Sequence, residues 1–157
     1  MCADSVTPAV RNRMMAGIKG KNTKPEIMIR SALHRRGFRF RLHRKDLPGK
    51  PDLVFTGRCA VIFVHGCFWH CHNCHLFRWP KSHESFWKEK ITKNIERDRE
   101  QYLTLADTGW RVGTVWECAL KGKTRLSIED VADQCAIWLR SDMKILEVCG
   151  NEAGATL

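Results

Sequence analysis

The sequence predicts an α/β fold, a mixed β-sheet flanked by helices and fastened by a structural zinc site, on three observations. Capped amphipathic helical segments alternate with short apolar runs. Two of those runs, residues 53–55 and 60–64, are separated by Thr56-Gly57-Arg58, which reads as a β-hairpin in the buried part of a sheet. Six cysteines and histidines, all able to bind a transition metal, crowd into residues 67–75. At 157 residues the chain is long enough for one hydrophobic core and too short for two.

The elements follow in order. Residues 7–22 carry Arg11, Arg13, Lys19 and Lys21 around Met14, Met15 and Ile18, which share one side of a helix at i, i+4 spacing: a basic arm with an apolar edge. Thr23-Lys24-Pro25-Glu26 is a capping box with proline in the first turn, and the helix it opens turns Ile29 and Leu33 inward and ends at Gly37. Apolar and basic residues alternate over 38–42 as in a half-buried strand, before the turn residues Leu47-Pro48-Gly49-Lys50-Pro51. After the hairpin, 82–108 reads as a long helix with Trp87, Ile91 and Ile95 on one side, stopping at Gly109. Residues 110–116 form another strand, and Ser127-Ile128-Glu129-Asp130 starts a last helix with Ile128, Val131, Cys135 and Trp138 at helical spacing. The domain plan is therefore a basic arm over 1–22, the main domain over 23–140 and a C-terminal tail over 141–157.

Charge narrows the function. Against 17 Asp and Glu stand 27 Lys and Arg, a formal net charge of +10, which favours a polyanionic partner. No long apolar span or lipid-facing amphipathic segment points to a membrane, so nucleic acid is the expected partner. The first residues lack a signal-peptide pattern, which places the protein in a reducing cytoplasm, where eight cysteines read as metal ligands rather than disulfides.

Within residues 67–75, Cys67, His70, Cys71, His72, Cys74 and His75 all suit a tetrahedral metal, and Cys118 follows a later strand. Spacing alone leaves the four ligands open, because Cys71 and Cys74 also form a C-x-x-C pair. Asp52, just ahead of one strand, and the polar end of the next at His65 reproduce the layout with which magnesium nucleases hold an ion over a phosphate.

Several blocks in register carry a more specific signal: Pro48-Gly49-Lys50-Pro51-Asp52; Val61-Ile62-Phe63-Val64-His65-Gly66-Cys67-Phe68-Trp69-His70; Lys93-Asn94-Ile95-Glu96-Arg97-Asp98; Gly109-Trp110-Arg111-Val112; and Val115-Trp116-Glu117-Cys118. From about Arg11 to about Gly122 the chain resembles the very-short-patch repair (Vsr) endonuclease family. The resemblance implies a restriction-endonuclease-like fold that nicks one strand of a T:G mismatch on the 5′ side of the mispaired thymine. It implies that Asp52 and the main-chain carbonyl of Val64 hold Mg2+, that His70 is catalytic, that His65 and Asp98 form a supporting pair, and that Glu26 serves the water beside the ion. It assigns Zn2+ to Cys67, His72, Cys74 and Cys118, leaving Cys71 aside. Phe68, Trp69 and Trp87 become wedges between bases, Met14, Met15 and Ile18 a minor-groove counterpart, and Lys90 and Asn94 further DNA contacts.

Two departures stand out. Phe63-Val64-His65 supplies neither the second acidic residue nor the lysine usual in restriction-type nucleases, so proton transfer passes to histidine. Val64 stands where the family pattern leads one to expect threonine, an exchange that matters only if a hydroxyl is used. The resemblance further implies a monomer acting on mismatched duplex DNA at the bacterial nucleoid, with mismatch-repair proteins as candidate partners. The alternatives are a restriction-type double-strand endonuclease and a non-catalytic zinc module that binds DNA.

Overall fold

The computed structural model describes residues 22–151; Met14, Met15 and Ile18 of the expected basic arm lie outside the described residues. Helix α1 (Lys24–Arg35) starts where Thr23 accepts a hydrogen bond from the Glu26 N–H, with Pro25 in its first turn. It ends in a Schellman motif. Gly37 takes φ +89°, Phe38 N–H bonds the Leu33 carbonyl at 3.1 Å and Gly37 N–H bonds that of His34 at 3.0 Å. That motif also explains why the strand expected over 38–42 shrinks to β1 (Arg41–Leu42). Phe38 belongs to the helix cap, and it and Phe40 pack edge-on against Phe55 instead of lining a ladder.

β2 (Leu53–Phe55) and β3 (Ala60–His65) form the expected antiparallel hairpin, with Leu53 opposite Ile62. Helix α2 (Glu84–Asp107) then crosses to β4 (Arg111–Trp116), which runs parallel to β3, and α3 (Ile128–Arg140) follows, capped by Ser127 on the Asp130 N–H at 3.0 Å. One strand was not anticipated. Ile145–Val148, inside the segment 141–157 read as a tail, forms β5, parallel to β4. Only Val148 of its four residues is buried and Ile145 is 73% exposed; the run Ile145-Leu146-Glu147-Val148 is short and lacks strict alternation, and pairing with β4 makes it a strand. The sheet is mixed and five-stranded, in the order β1-β2-β3-β4-β5, with three α-helices among the described residues.

Strand alternation divides the core between the two faces. Leu53, Phe55, Ala60, Ile62, Val115 and Val148 pack with Ile29 and Leu33 of α1 and Val131, Cys135 and Trp138 of α3. Val54, Val61, Phe63 and Val112 pack with Leu105 of α2. α3 is locked to the sheet by buried Arg111, which donates to the Trp138 and Leu139 carbonyls at 3.0 and 3.2 Å and stacks 4.9 Å from the Trp138 ring. Gly113 leaves room for that indole: a Cβ there would come 3.1 Å from Trp138 Cζ3. Gly113→Val is accordingly expected to destabilise the fold by about 1–3 kcal/mol through overpacking, measured by denaturant unfolding.

Candidate metal centre and its histidine pair

The sheet brings its chemistry to one end. Asp52 sits immediately ahead of β2, Val64 and His65 end the neighbouring β3, and Val64 N–H donates to Asp52 Oδ2 at 2.7 Å. Glu26, in the first turn of α1, points inward and is only 2% exposed. The capping box is therefore half made. Thr23 caps the helix, whereas the Glu26 carboxylate accepts from Asn22 N–H at 2.8 Å and turns towards Asp52 and His43.

Burial of the Asp52 carboxyl, with Glu26 beside it, pushes its pKa up to about 8. A carboxyl whose folded pKa exceeds its unfolded value of about 4 favours the fold while protonated. That contribution is full at low pH and is lost as pH rises through about 8. We therefore expect the melting temperature without added divalent ion to fall between pH 6 and 8.5. A divalent ion should recover more of it at the alkaline end, because the ion replaces the proton. Melting curves with and without Mg2+, at saturating Zn2+, check this; an ion effect independent of pH would contradict it.

Beside these carboxylates lies a second group. His70 Nδ1 is hydrogen-bonded to Asp98 of α2. Asp98 thus bonds His70 rather than His65. The reason is helical spacing: Tyr102, one turn further along α2, places its hydroxyl 3.1 Å from His65 Nδ1, while Asp98 reaches the next ring. The His65 and His70 rings lie parallel, 3.7 Å apart at 4°. Burial, reinforced by the neighbouring His70, holds His65 well below the usual imidazole range, so it stays neutral and gives His70 an uncharged face to lie against.

The loop between β3 and α2 is drawn together by Cys67, His72, Cys74 and, from just after β4, Cys118, whose ligand atoms all lie within 4.8 Å of one another. His72 Nδ1 is 3.6 Å from Cys67 Sγ and 3.5 Å from Cys118 Sγ. Nitrogen and sulfur at zinc-type bond lengths in a tetrahedron stand about 3.5 Å apart, so the donor set fits one four-coordinate ion. Cys71 is outside the set. Burial raises the Cys67 and Cys118 thiols, the opposite of what a bound cation would do to them.

The same loop presents Phe68 and Trp69, both half-buried, against Trp87 of α2, with centroids 5.4 and 5.9 Å from it. Asn94 donates to the Trp69 carbonyl at 3.0 Å and accepts from Arg97, so it ties this loop to α2. Lys90 is exposed on α2. Ile95, expected on the inner side with Ile91, is 44% exposed, whereas Ile91 is fully buried.

Two clefts meet at the centre. One, of about 510 Å³, is walled by Glu26, Phe68 and Trp69. The other, of about 830 Å³, is walled by Lys45, Lys50, Arg97 and Asp98. Asp52, Val64, His65 and His70 line both, forming the ridge between an aromatic and a basic channel. Three members of this neighbourhood escaped the sequence reading. His43 lies between Glu26 and Asp52, Tyr102 bonds His65, and Glu117 accepts from Cys67 N–H at 3.3 Å. Only the end of the alternating run before Lys45 hinted at His43; nothing local marked the others.

Paired carboxylates beside a carboxylate-backed imidazole, on a ridge between open channels of an α/β domain, are groups that could hold a divalent ion and move a proton. The family model described as "DNA mismatch endonuclease Vsr" matches residues 3–76. The DNA mismatch endonuclease Vsr of Escherichia coli is 41% identical over 155 residues, covering 99% of this chain and 94% of that protein. The type II nicking enzyme V.XorIIP of Xanthomonas oryzae pv. oryzae is 51% identical over 117 residues, 74% of this chain and 86% of that one. For the type II nicking enzyme V.NmeAIP of Neisseria meningitidis the figures are 46% over 120 residues, 76% and 86%. The chain belongs to the Vsr family of DNA mismatch endonucleases.

Proposed function

We propose that the protein nicks one strand of a T:G-mismatched DNA duplex on the 5′ side of the mispaired thymine, initiating very-short-patch repair of deaminated 5-methylcytosine. The observation that carries this reading is the ridge on which Asp52 and the Asp98-bound His70 stand together beside the aromatic loop. Relatives named mismatch endonuclease and nicking enzyme support it.

In this reading Asp52 and the Val64 carbonyl hold Mg2+, with Glu26 against the ion's water. When bound, the ion neutralises charge on the phosphate and acidifies water. Asp98 holds His70 by Nδ1, which leaves Nε2 to exchange a proton with the attacking or departing oxygen, and the flat face of His65 keeps that ring from turning. Phe68, Trp69 and Trp87 enter the base stack, where a mispair costs less to open. Lys90 and the described basic channel take the sugar-phosphate chain, with Met14, Met15 and Ile18 of the arm in the minor groove. Cys67, His72, Cys74 and Cys118 hold Zn2+, which staples the loop carrying His70. The fold is of the restriction-endonuclease kind, its domain running from residue 23 through β5 rather than ending at 140. The protein works as a monomer in the bacterial cytoplasm at the nucleoid, with mismatch-repair proteins as further partners. No described helix is long and apolar enough to cross a membrane.

Labelling each strand separately tests the reading. Product on one strand supports it, product on both points to a restriction-type enzyme, and binding without cleavage under any divalent ion points to a DNA-binding module. His70→Ala is expected to slow nicking by roughly 10²–10⁴-fold while leaving duplex binding nearly unchanged, measured by single-turnover kinetics beside a binding titration.

A further inference from the structure

The ring of His43 is wedged between the two acidic groups of the metal centre. Its Nε2 lies 3.1 Å from Glu26 Oε2 and its Nδ1 3.7 Å from Asp52 Oδ1. The three side chains each offer a ligand atom within 4.8 Å of the others. Two oxygen or nitrogen ligands of one six-coordinate ion stand about 3 Å apart when adjacent and about 4.3 Å when opposite, so ligand atoms gathered within 4.8 Å of one another can close on a single ion.

Two further observations point the ring at a ligand. Nε2 is fully buried and makes no hydrogen bond, its approach to Glu26 being poorly directed. An orphaned nitrogen of this kind in a polar cluster is costly unless something occupies it. The backbone also holds the ring there: His43 takes φ +49°, which non-glycine residues adopt sparingly, and its N–H bonds the Asp52 carbonyl at 3.3 Å.

We propose that His43 Nε2 is a third protein ligand, beside Asp52 and the Val64 carbonyl, of the divalent ion held at Asp52, and that it biases this centre towards Mn2+ over Mg2+. The inference rests on the metal centre proposed above. An all-oxygen site suits Mg2+, which gives up its water reluctantly; an imidazole donor favours the transition ions, for which nitrogen is a better ligand. Nδ1 then keeps the ring proton, on the side of Asp52.

The test uses the full chain with its cysteine cluster filled with Zn2+. Mn2+ is titrated and followed by electron paramagnetic resonance, with pulsed spectra for nitrogen coupling, and Mg2+ affinity is read by competition. His43→Asn is the variant of choice because asparagine tolerates the left-handed backbone, and its melting curve checks the fold. The expected result is nitrogen coupling on bound Mn2+ in the wild type that H43N loses. H43N should also bind Mn2+ at least about tenfold more weakly, with Mg2+ affinity changed by less than about threefold. If D52A abolishes Mn2+ binding while H43N retains both coupling and affinity, His43 is not a ligand and the Asp52 centre stands. If D52A leaves Mn2+ binding intact, the centre itself is misplaced and both readings fall.

Discussion

Replacing Asp52 by alanine is expected to lower nicking of a mismatched duplex by about three orders of magnitude or more, because a metal's electrostatic contribution to phosphoryl chemistry is worth several kcal/mol. The loss should appear in the chemical step and not in duplex binding, since the basic channel through Lys45, Lys50 and Arg97 remains. The fold should survive. The carboxyl is buried, raised to about 8 and pressed against Glu26, so alanine relieves a repulsive pair while giving up the bond from Val64 N–H. A variant that melts no earlier than wild type and no longer cuts would mark Asp52 as functional rather than structural. Full nicking by a folded D52A protein would put the metal elsewhere.

The second large effect is expected from Cys118→Ser. Cys118 tethers the loop after β3 to the end of β4: its N–H bonds Cys67 Sγ at 3.4 Å and its own sulfur accepts from Gly150 N–H at 3.3 Å. A structural zinc contributes on the order of 10–16 kcal/mol of apparent binding energy. That matches or exceeds the roughly 5–15 kcal/mol that holds a domain folded. Losing one ligand should therefore abolish stoichiometric metal retention and much of the cooperative melt, and nicking with it, because His70, Phe68 and Trp69 ride on the tethered loop. Metal analysis and melting curves read this out. Wild-type protein stripped by a chelator should behave likewise and recover with Zn2+; C118S should not recover. A C118S protein that kept its metal and its melt would remove the cluster from the stability account.

How much of this was legible in the sequence depended on how local the cause is. The caps at Thr23 and Ser127 and the hairpin from Leu53 are set by residues within a few positions, and the fold contains them where expected. The cysteine-histidine cluster was visible because three of its four members fall within eight residues; Cys118 stood out as a distant candidate at a strand end, and only the family blocks joined it to the other three. What stayed hidden is non-local. β5 exists because β4 offers it an edge, Asp98 finds His70 because Tyr102 has already taken His65, and His43 meets Glu26 and Asp52 only when the turn before β2 folds back over α1. Asn94 illustrates the same limit: nothing local declares that its amide holds the Trp69 loop, a partner 25 residues away.

The most direct measurement compares two duplexes that differ only in the base opposite one thymine, guanine in one and adenine in the other. Each is labelled on the thymine strand and treated with zinc-filled protein over a range of Mg2+. The account predicts an ion-dependent cut immediately 5′ of the thymine in the T:G duplex. It predicts at least about tenfold slower cutting of the T:A duplex, since a paired, well-stacked thymine resists the aromatic wedge by a few kcal/mol. Equal cutting of both duplexes, or none of the T:G duplex at any Mg2+ concentration, would contradict it.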